Sequence, residues 1–553
     1  MSMNGAEWLA RSLHASGQTH LFFVDAVLRR TLLECERLGV QPVLAHTEKA
    51  AAYMADGYAR IAGRPGVVAA QSVGAANLAA GLQDAFLARS PVLALTGRKP
   101  TAMQHRNAYQ EVAHAPLFAP VTKFAASLDG AEDLPRQFRQ AWAAAVGAPP
   151  RPVHLDLNGL MGELVEAGAT EAPLAALGAW RAPAHRPAAD PAAVEAAAEA
   201  LLSTGKLAIV AGDGAALSGC GAELLALAEA LHAPIATSLG ARGIVPTRHP
   251  LHVGVVGTYS APPANRVVHA AEMVLFVGCD TGDQVTHAWR VPAPGARVVQ
   301  IDADPLEFHR SYPAEVALLG DPRVTLATLL TALGQPGRDG GFAAWAQQQV
   351  EAWRASVAPR LASNALPIDP ARLCAEITRA LPADGILVAD TGYSGIWTGT
   401  LVEMQPGQTY LRAAGSLGWA FPAALGAKCA APARKVLCWS GDGALYYHLA
   451  ELETARRRGI AVVLLVNNNS GFGQGWPNLR RQAGNRPGAA EALLRFGPTD
   501  FIEVARSFGV RGIRVERAQQ IAGALAEALA AEETVVVDVV TDIESRAPEP
   551  WTP

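Results

Sequence analysis

The sequence predicts an α/β protein of three doubly wound domains, each built on a mostly parallel sheet. Along most of its 553 residues, short apolar runs alternate with segments of helical periodicity, the pattern of parallel sheets flanked by helices. Two stretches interrupt the alternation: residues 161–195 are rich in Ala, Pro and Glu, and residues 334–341 are rich in glycine. We therefore expect domains at 1–180, 190–335 and 366–545.

Composition favours large buried cores, since half of the residues are hydrophobic and 17% are charged. The net charge of -4 favours neither nucleic acid nor an anionic membrane surface as a partner. No apolar run approaches the roughly 20 residues of a membrane span, and the first residues do not resemble a secretory signal. The chain has six cysteines and no C-x-x-C pair, which predicts reduced core thiols and a cytoplasmic location. The cysteines are Cys35, Cys220, Cys279, Cys374, Cys429 and Cys438.

The strongest functional signal lies in residues 440–474. They predict a turn at Gly441–Gly443 after a short strand, then a helix, then a buried strand that ends in Asn467–Asn469. Ligands of an open parallel sheet lie outside the carboxyl ends of its strands, so Asp442 and Asn469 are expected to converge. Carboxylate and amide oxygens suit Mg²⁺ or Ca²⁺, and glycine N–H groups can approach phosphate. The residues alone therefore predict a site for a metal ion and a diphosphate.

A Gly-Asp-Gly sequence by itself is more often a plain turn. The chain contains a second one at Gly212–Gly214, and the residue 27 positions after Asp213 is Gly240, which has no side-chain ligand. The same spacing from Asp442 leads to Asn469. This difference favours the later motif as the functional one.

With its flanking motifs, the chain resembles the thiamine diphosphate enzymes, and within them the acetolactate synthase and pyruvate oxidase branch. The motifs cover nearly the whole chain: HTEKAAAYMADGYAR at 46–60, AYQEVAHAPLFAPVTK at 108–123, PVHLDL at 152–157, IDADP at 301–305 and GWAFPAALGAK at 418–428. The resemblance implies that Asp442, Asn469 and the carbonyl of Gly471 hold Mg²⁺, which in turn holds the diphosphate of the cofactor. Further residues implied to contact the cofactor are Gly392, Tyr393, Ser394, Gly441, Gly443 and Ala444. Tyr393 and Ser394 replace the family's common Gln-His pair.

Glu48 follows a predicted strand and opens a predicted helix, where a glutamate can simply complement the helix dipole. The resemblance implies another role, contact with N1′ of the aminopyrimidine ring, which favours the imino form of the cofactor. It also implies that Leu417 wedges between the two cofactor rings and that the Gly415 carbonyl accepts a hydrogen bond from the 4′-amino group. Without the resemblance, Leu417 would be an ordinary core residue.

The segments implied to face the substrate depart most from the family. The loop at 71–81 looks one residue shorter than usual, with Val73 in place of Gly-Pro. Gln110 matches the glutamine that borders the reactive carbon, and we place it with Glu48 and His105 among the candidate catalytic residues. His105 stands where relatives usually have glycine, and two interpretations are open: a solvated loop histidine, or an acid or base that faces the substrate.

Two further positions concern the same wall of the site. We expect His114 to be structural or exposed. Asn478 occupies the position of a tryptophan that shapes the acceptor pocket of acetolactate synthases, while Trp476 lies two residues earlier.

The middle domain raises the question of a nucleotide. Gly212 and Gly214 leave room for one, but Asp302 and Asp304 lie about 90 residues further on, not at the roughly 20 of a dinucleotide fingerprint. In acetolactate synthases this domain binds FAD, and Asp280-Thr281 replaces their Arg-Phe pair. An anion beside a pyrophosphate is unfavourable, so we expect a structural middle domain without FAD.

The resemblance implies a thiamine diphosphate- and Mg²⁺-dependent lyase or carboligase that acts on a 2-oxo acid, aldehyde or ketone. A 2-hydroxyacyl lyase or a diketone hydrolase of the same family is an alternative, and a catalytically silent binding or regulatory protein is an alternative of another class. The family also implies a homodimer or homotetramer, since the glutamate-bearing domain of one subunit faces the diphosphate domain of another. The exact substrates do not follow from the sequence.

Overall fold

The computed structural model describes residues 3–170, 181–334, 340–486 and 491–553. These residues contain three six-stranded parallel sheets, each flanked by helices, and one two-stranded antiparallel ribbon. The prediction of three doubly wound α/β domains is confirmed. The sheets extend over residues 20–158, 207–319 and 386–540, within the three expected domains, whose exact limits stay a prediction. No helix in the described residues is long and apolar enough to cross a membrane.

The first sheet has the strand order β3-β2-β4-β5-β7-β6, and the ribbon pairs β1 with β8. Its strands and those of the ribbon are β1 Met3–Asn4, β2 His20–Phe23, β3 Gln41–Leu44, β4 Gly66–Ala70, β5 Val92–Arg98, β6 Phe124–Leu128, β7 Val153–Asn158 and β8 Ala169–Thr170. The helices are α1 Gly5–Ala15, α2 Arg29–Arg37, α3 Glu48–Ala62, α4 Gly74–Leu87, α5 His114–Phe118, α6 Leu134–Val146 and α7 Glu163–Ala167.

The second sheet has the order β11-β10-β9-β12-β13-β14, which is typical of dinucleotide-binding folds. Its strands are β9 Leu207–Ala211, β10 Ile235–Thr237, β11 His252–Val255, β12 Met273–Val277, β13 Arg297–Asp302 and β14 Val316–Leu319. The helices are α8 Pro191–Leu202, α9 Asp213–Ser218, α10 Gly221–Leu231, α11 Pro262–Ala270 and α12 Pro322–Leu333.

The third sheet, β16-β15-β17-β18-β20-β19, repeats the winding of the first. Its strands are β15 Ile386–Ala389, β16 Thr409–Arg412, β17 Val436–Gly441, β18 Val463–Asn468, β19 Arg511–Val515 and β20 Val535–Val540. The helices from the linker onward are α13 Gly341–Leu361, α14 Pro370–Ala380, α15 Tyr393–Leu401, α16 Ala420–Ala430, α17 Asp442–Leu445, α18 Glu451–Arg458, α19 Trp476–Gln482, α20 Glu491–Leu494, α21 Phe501–Ser507 and α22 Ala518–Ala530.

The first expected linker is shorter than predicted. Helix α7 and strand β8 lie inside 161–195, and α8 begins there at Pro191 with Asp190 as its N-cap. Residues 171–180 of the first linker and 335–339 of the second lie outside the described residues. Helix α13 follows the second linker.

One hydrophobic core joins the first and third domains through α3, α4 and α16. The helices α3 and α16 approach closely because glycines face backbone: a Cβ at Gly57 would lie 2.0 Å from the Ala423 carbonyl oxygen, and one at Gly426 would lie 1.8 Å from that of Met54. This contact fixes how the two domains sit within one chain.

All six cysteines are buried and free, as expected of core thiols. Burial raises the pKa of the Cys35 and Cys220 thiols to about 12, so both stay protonated.

Candidate functional site

The third sheet has a topological switch point between β15 and β17. The chain leaves β15 for β16 on one side, and it leaves β17 for β18 on the other. Three loops therefore meet at the carboxyl edge: residues 390–392 after β15, Gly441 and Asp442 after β17, and residues 469–474 after β18. In open α/β sheets this crevice is where ligands bind.

Asp442 lies in that crevice and is 2% exposed. Its carboxylate accepts hydrogen bonds from the N–H of Gly443 (2.7 Å) and of Gly471 (3.2 Å), which tie the loops after β17 and β18 together. Burial raises the pKa of this carboxyl to about 6, although the neighbouring N–H groups act to lower it. A buried carboxylate without a cation is costly, so the site favours a bound cation.

The three asparagines after β18 have different roles. Asn467 accepts from the hydroxyl of Thr541 (2.7 Å), and Asn468 donates to Asp538 (2.9 Å), so both hold β18 against its neighbours. The Oδ1 atom of Asn469 is buried without a hydrogen-bond partner among the described residues. An unpartnered buried oxygen beside Asp442 and Gly471 fits the ligand set of Mg²⁺, namely carboxylate, amide and backbone oxygens.

The predicted turn at Gly441–Gly443 differs from the structure. Strand β17 continues to Gly441 at an ordinary φ of -73°, and α17 begins directly at Asp442. Glycine is needed for packing instead, since a Cβ at Gly443 would lie 2.6 Å from the ring of Phe472. Ala444 is buried one residue later.

The opposite side of the crevice is formed by the start of α15. Gly392 adopts φ 65°, and a Cβ there would lie 2.7 Å from Oε1 of Gln474. Tyr393 and Ser394 were expected in a polar turn but form the first turn of α15, because Gly392 is its N-cap. The Ser394 hydroxyl lies 3.8 Å from where a Cβ of Gly441 would be, so both loops border the same space.

Gly415 and Leu417 lie on the loop between β16 and α16. Gly415 is exposed with open space at its Cα, and Leu417 is half-buried rather than a full core residue. Asp390, buried beneath the crevice, accepts from the N–H of Gly418 and of Ala420, both at 3.0 Å. The loop that presents Gly415 and Leu417 is thus fixed to the end of β15.

The second group of predicted residues lies at the carboxyl edge of the first sheet. Glu48 is the first residue of α3, whose N-cap Thr47 accepts from the N–H of Ala50. The Glu48 carboxylate accepts from Nδ2 of Asn77 at 2.8 Å. A Cβ at Gly74 would lie 2.4 Å from Glu48 Oε1, so this glycine makes room for the carboxylate.

The loop after β5 holds Gln110 and His105 on the same edge. The hydroxyl of Ser72 donates to the backbone oxygen of Gln110, which joins this loop to the one that carries Asn77. His105 is exposed, and its backbone N–H donates to Glu111 (2.8 Å). Tyr109 is 76% exposed. Both interpretations of His105 stay open in this exposed position.

His114 is structural, one of the two expected outcomes. It is buried, with Nδ1 2.9 Å from Asp156 and Nε2 2.9 Å from the Ser72 carbonyl oxygen. The hydroxyl of Thr96 lies 2.7 Å from His154 and 2.8 Å from Asp156, so it already fills the space among these side chains. His114 therefore supports the Ser72 loop from below.

Trp476 is also structural. Its indole N–H donates to Glu544 (2.8 Å), and its ring packs in a small cluster with Ile543. Asn478 lies in α19 and contacts Arg481.

The two groups of residues are held by separate sets of hydrogen bonds. In the described residues the Glu48 carboxylate bonds Asn77, and no hydrogen bond or ion pair joins it to the crevice around Asp442. The neighbouring residue His46 contacts α18 instead, with its N–H 3.0 Å from Glu451. The chain thus carries two separate half-sites, one at Glu48 and one at Asp442.

Acidic side chains gather at the carboxyl edge of the middle sheet. A Cβ at Gly212 would lie 2.3 Å from the carbonyl oxygen of Gly278, so this glycine allows packing within the domain and not the approach of a ligand. Asp302 accepts from the N–H of Asp304 (2.9 Å), and burial raises its pKa to about 6. Arg89 of the first domain reaches this acidic edge and pairs with Glu307 at 2.9 Å.

Comparison with known families matches all three domains. Residues 3–117 match the description "Thiamine pyrophosphate enzyme, N-terminal TPP binding domain", residues 194–329 match the central domain of the same enzymes, and residues 390–539 match their C-terminal TPP binding domain. The chain belongs to the thiamine diphosphate enzyme family. It is a thiamine diphosphate-dependent enzyme, and the predicted family is confirmed.

Relatives place it in the acetolactate synthase branch. It is 32% identical to the probable acetolactate synthase large subunit of Methanocaldococcus jannaschii, over 98% of this chain and 92% of that protein. It is 29% identical to the acetolactate synthase isozyme 2 large subunit of Escherichia coli, over 95% of this chain and 93% of that protein. It is 27% identical to the acetolactate synthase isozyme 3 large subunit of the same organism, over 98% of this chain and 95% of that protein.

Sequence reasoning missed two buried acids that hold the site together. Asp390 anchors the Gly415 loop from β15, and Asp84 anchors it from α4 of the first domain. A signal exists for each: an aspartate directly after the strand ILVA, and a lone acid within the apolar helix GAANLAAGLQDAFL.

Proposed function

We propose that the protein is a thiamine diphosphate- and Mg²⁺-dependent carboligase or lyase that acts on 2-oxo acids or related carbonyl compounds. The observation that carries the proposal is the unpartnered oxygen of Asn469 beside buried Asp442, at the switch point of the third sheet. The names of the relatives support carbon–carbon bond formation as the reaction.

Asp442, Asn469 and the Gly471 carbonyl would hold Mg²⁺, which neutralises the buried carboxylate and binds diphosphate oxygens. Ser394, at the start of α15, can donate a hydrogen bond from its hydroxyl, and the helix amino end favours negative charge. The N–H groups of Gly443 and Gly471 are already used by Asp442.

Thiamine diphosphate, when bound, supplies the nucleophilic carbon and the electron sink for breaking and forming a carbon–carbon bond. Glu48 would hold a proton at N1′ of the pyrimidine ring, and Asn77 orients its carboxylate through the 2.8 Å hydrogen bond. Leu417 and the Gly415 carbonyl would set the ring positions, since Asp390 and Asp84 fix their loop. Gln110 and His105 would border the substrate, with His105 limiting its size.

The active unit is proposed to be a homodimer, or a homotetramer built from dimers, in which Glu48 of one subunit meets the Asp442 crevice of the other. Three exposed apolar side chains on the Glu48 edge support this arrangement: Val73, Met103 and Tyr109. Burying these side chains against a second subunit would remove apolar surface from water.

We further propose a cytoplasmic location, because all six cysteines are free and buried. The middle domain is proposed to bind no FAD, because its edge carries Asp213, Asp280 and Asp302 where a pyrophosphate would lie.

The proposed activity is tested with purified protein, thiamine diphosphate and Mg²⁺ against a panel of 2-oxo acids, alone and with aldehydes. Released CO₂ and ketol products should both appear, and EDTA should abolish them. Activity only on a 2-hydroxyacyl thioester or on a cyclic diketone would instead favour the lyase or hydrolase alternative. No turnover of any carbonyl substrate, with thiamine diphosphate bound, would favour a catalytically silent protein.

A further inference from the structure

A cavity of about 370 Å³ lies where the middle domain, the linker helix α13 and the end of α15 meet. We call it the α13 cavity. Its apolar wall comes from β11, α13 and α15, with Val253, Val255, Val350, Trp353, Leu361 and Leu401. None of the candidate cofactor residues lines it, so it is distinct from the crevice around Asp442.

Arg242 lines this cavity and is only 5% exposed. Its guanidinium donates one hydrogen bond to the carbonyl oxygen of Val402, at the end of α15, while Nε has no partner. Arg242 forms no ion pair in the described residues, although the charge of Glu403 acts on it from beyond ion-pair distance, and burial lowers its pKa to about 10. A buried cation without a counter-ion is strongly unfavourable. The hydrogen bond from Arg242 to the end of α15 uses one of its donors, and it leaves most of the positive charge uncompensated.

His252 is a second buried group on the same wall, 3% exposed. The carbonyl of Thr247 lies near the ring, but neither ring nitrogen completes a hydrogen bond. Burial, and then the charge of Arg242, lower the His252 pKa to about 3, so the ring is neutral and offers one N–H. Two neighbouring buried side chains that line one cavity thus keep donors without a protein acceptor.

The rim of the cavity adds positive charge. Arg248 pairs with Glu403 at 2.7 Å, and Arg354 donates to the Thr247 carbonyl oxygen at 2.9 Å. With Arg242, three cations face a single carboxylate. Positive potential in a cleft with apolar walls favours an anion.

We propose that the α13 cavity binds a small organic carboxylate with an apolar chain. The carboxylate would accept from Arg242 and His252, because a planar guanidinium matches a carboxylate in a bidentate pair. The chain would lie against Trp353 and the valines, which removes apolar surface from water. An inorganic anion would satisfy the charge but leave this wall in contact with water.

The site adjoins the C-terminal end of α15. This helix of nine residues begins at Tyr393, directly after Gly392, and ends at Leu401. An occupant would thus contact the helix whose other end borders the proposed diphosphate site. The binding proposal itself does not depend on the proposed reaction.

The test is calorimetric titration of the full-length protein, loaded with thiamine diphosphate and Mg²⁺, with acetate, butanoate and hexanoate. Affinity should rise along this series, and hexanamide should bind about tenfold or more weakly than hexanoate because it lacks the charge. Arg242→Met should remove hexanoate binding. Asp442→Ala, which is not expected to bind the cofactor, is the control for binding at the active site: titrated beside cofactor-free wild-type protein, it should show the same hexanoate affinity.

A second variant keeps the charges and alters only the space. Val357→Phe, on α13 at the cavity wall, should weaken hexanoate more than acetate because the added ring fills the room for the chain. Equal affinity for hexanoate and hexanamide, wild-type hexanoate affinity in Arg242→Met, or loss of binding in Asp442→Ala would each overturn the proposal.

Discussion

The carboxylate of Asp84, in the first domain, accepts a hydrogen bond from the backbone N–H of Gly415, in the third domain, at 3.1 Å. The same carboxylate accepts from the N–H of Ala414 and of Ser416, both at 2.9 Å. Asp84 is 0% exposed, and Arg60 lies 3.2 Å from it. One residue of α4 thus holds the loop that is expected to set the cofactor rings.

Asp84→Asn should weaken thiamine diphosphate binding about tenfold and lower the melting temperature. The amide has one acceptor oxygen and no charge, so it cannot accept from three N–H groups, and hydrogen bonds to a charged group are each worth about 1.5–3 kcal/mol. Cofactor titration calorimetry and a thermal melt report the two effects. Asp133→Asn, the same change at an exposed ion pair with Arg136, is the control and should change neither. Unchanged cofactor affinity in Asp84→Asn would contradict the positioning role.

Asp442→Ala should abolish Mg²⁺-dependent binding of thiamine diphosphate, because it removes the only charged ligand proposed for the ion. The chain supplies a matched control in its second Gly-Asp-Gly sequence. Asp213→Ala removes a carboxylate that accepts from the Ser238 hydroxyl at 2.5 Å, and it should leave cofactor affinity unchanged. Calorimetry of both variants with and without EDTA measures this. Equal losses in the two variants would contradict the assignment of the metal site.

The affinity for Mg²⁺ should fall at acidic pH because of the Asp442 pKa of about 6. The pKa of Asp442 is raised above its usual 3.8. Without a cation, the protonated carboxyl therefore stabilises the fold at low pH, and this contribution is lost as the pH rises through about 6. A bound cation favours the ionised form, and protons compete with it below that pH. Between about pH 7.5 and pH 5.5 the apparent affinity should weaken about fourfold.

The measurement is titration of Mg²⁺ into the cofactor-free protein, which avoids protonation of the cofactor diphosphate. Asp442→Asn keeps the shape of the side chain without its titration, so whatever residual affinity it has should vary little with pH. A pH-independent affinity in the wild-type protein would show that Asp442 does not hold the ion.

The sequence predicted the parts of the fold whose signals are local. The apolar runs that became the central strands β4, β5, β12 and β18 are buried along almost their entire length, so their pattern is unambiguous. The edge strands β6 and β14 were missed because only part of each is buried. Strand β6, FAASL, alternates half-buried and exposed residues, and β14 has one fully buried residue.

The candidate site shows the same division. Asp442 and Asn469 are recognisable because each directly follows a strand of the third sheet, and Glu48 because it opens a helix four residues after β3. Asp84 and Asp390 are not, because their partners lie far along the chain: the loop at 414–420 is about 330 residues after Asp84 and about 30 after Asp390. Every residue except proline has a backbone N–H, so a partner of this kind cannot be recognised from the sequence.

The purified protein should carry no flavin and should be active without added FAD. The edge of the middle sheet holds Asp213 and Asp302, and two cations beside it in the described residues, Arg89 and Arg310, both pair with Glu307. A pyrophosphate there would face several carboxylates. An absorption spectrum of the protein, before and after incubation with FAD and desalting, measures this. A stoichiometric flavin band in either sample would refute the expectation.

Mixing two inactive variants should restore activity if the active site is shared between subunits. Glu48→Gln alone should keep the cofactor but slow turnover about 10²–10⁴-fold, the loss expected for a general acid–base group. Asp442→Ala alone should not bind the cofactor. In a mixed dimer, the intact Glu48 of one subunit meets the intact Asp442 of the other at one site, while the second site carries both changes. Random reassociation in equal amounts makes half of the dimers mixed, so about a quarter of wild-type activity should return.

The two variants are denatured together, refolded and assayed, and each variant refolded alone is the control. The double variant Glu48→Gln/Asp442→Ala, mixed with wild-type protein, checks that exchange of subunits occurs, since it should leave mixed dimers without an intact site. If both half-sites instead closed within one chain, every chain in the first mixture would contain one defect, and no activity would return. The separation of Glu48 from the Asp442 crevice in the described residues favours restoration, because Glu48 bonds Asn77 of its own domain and its neighbour His46 turns toward α18.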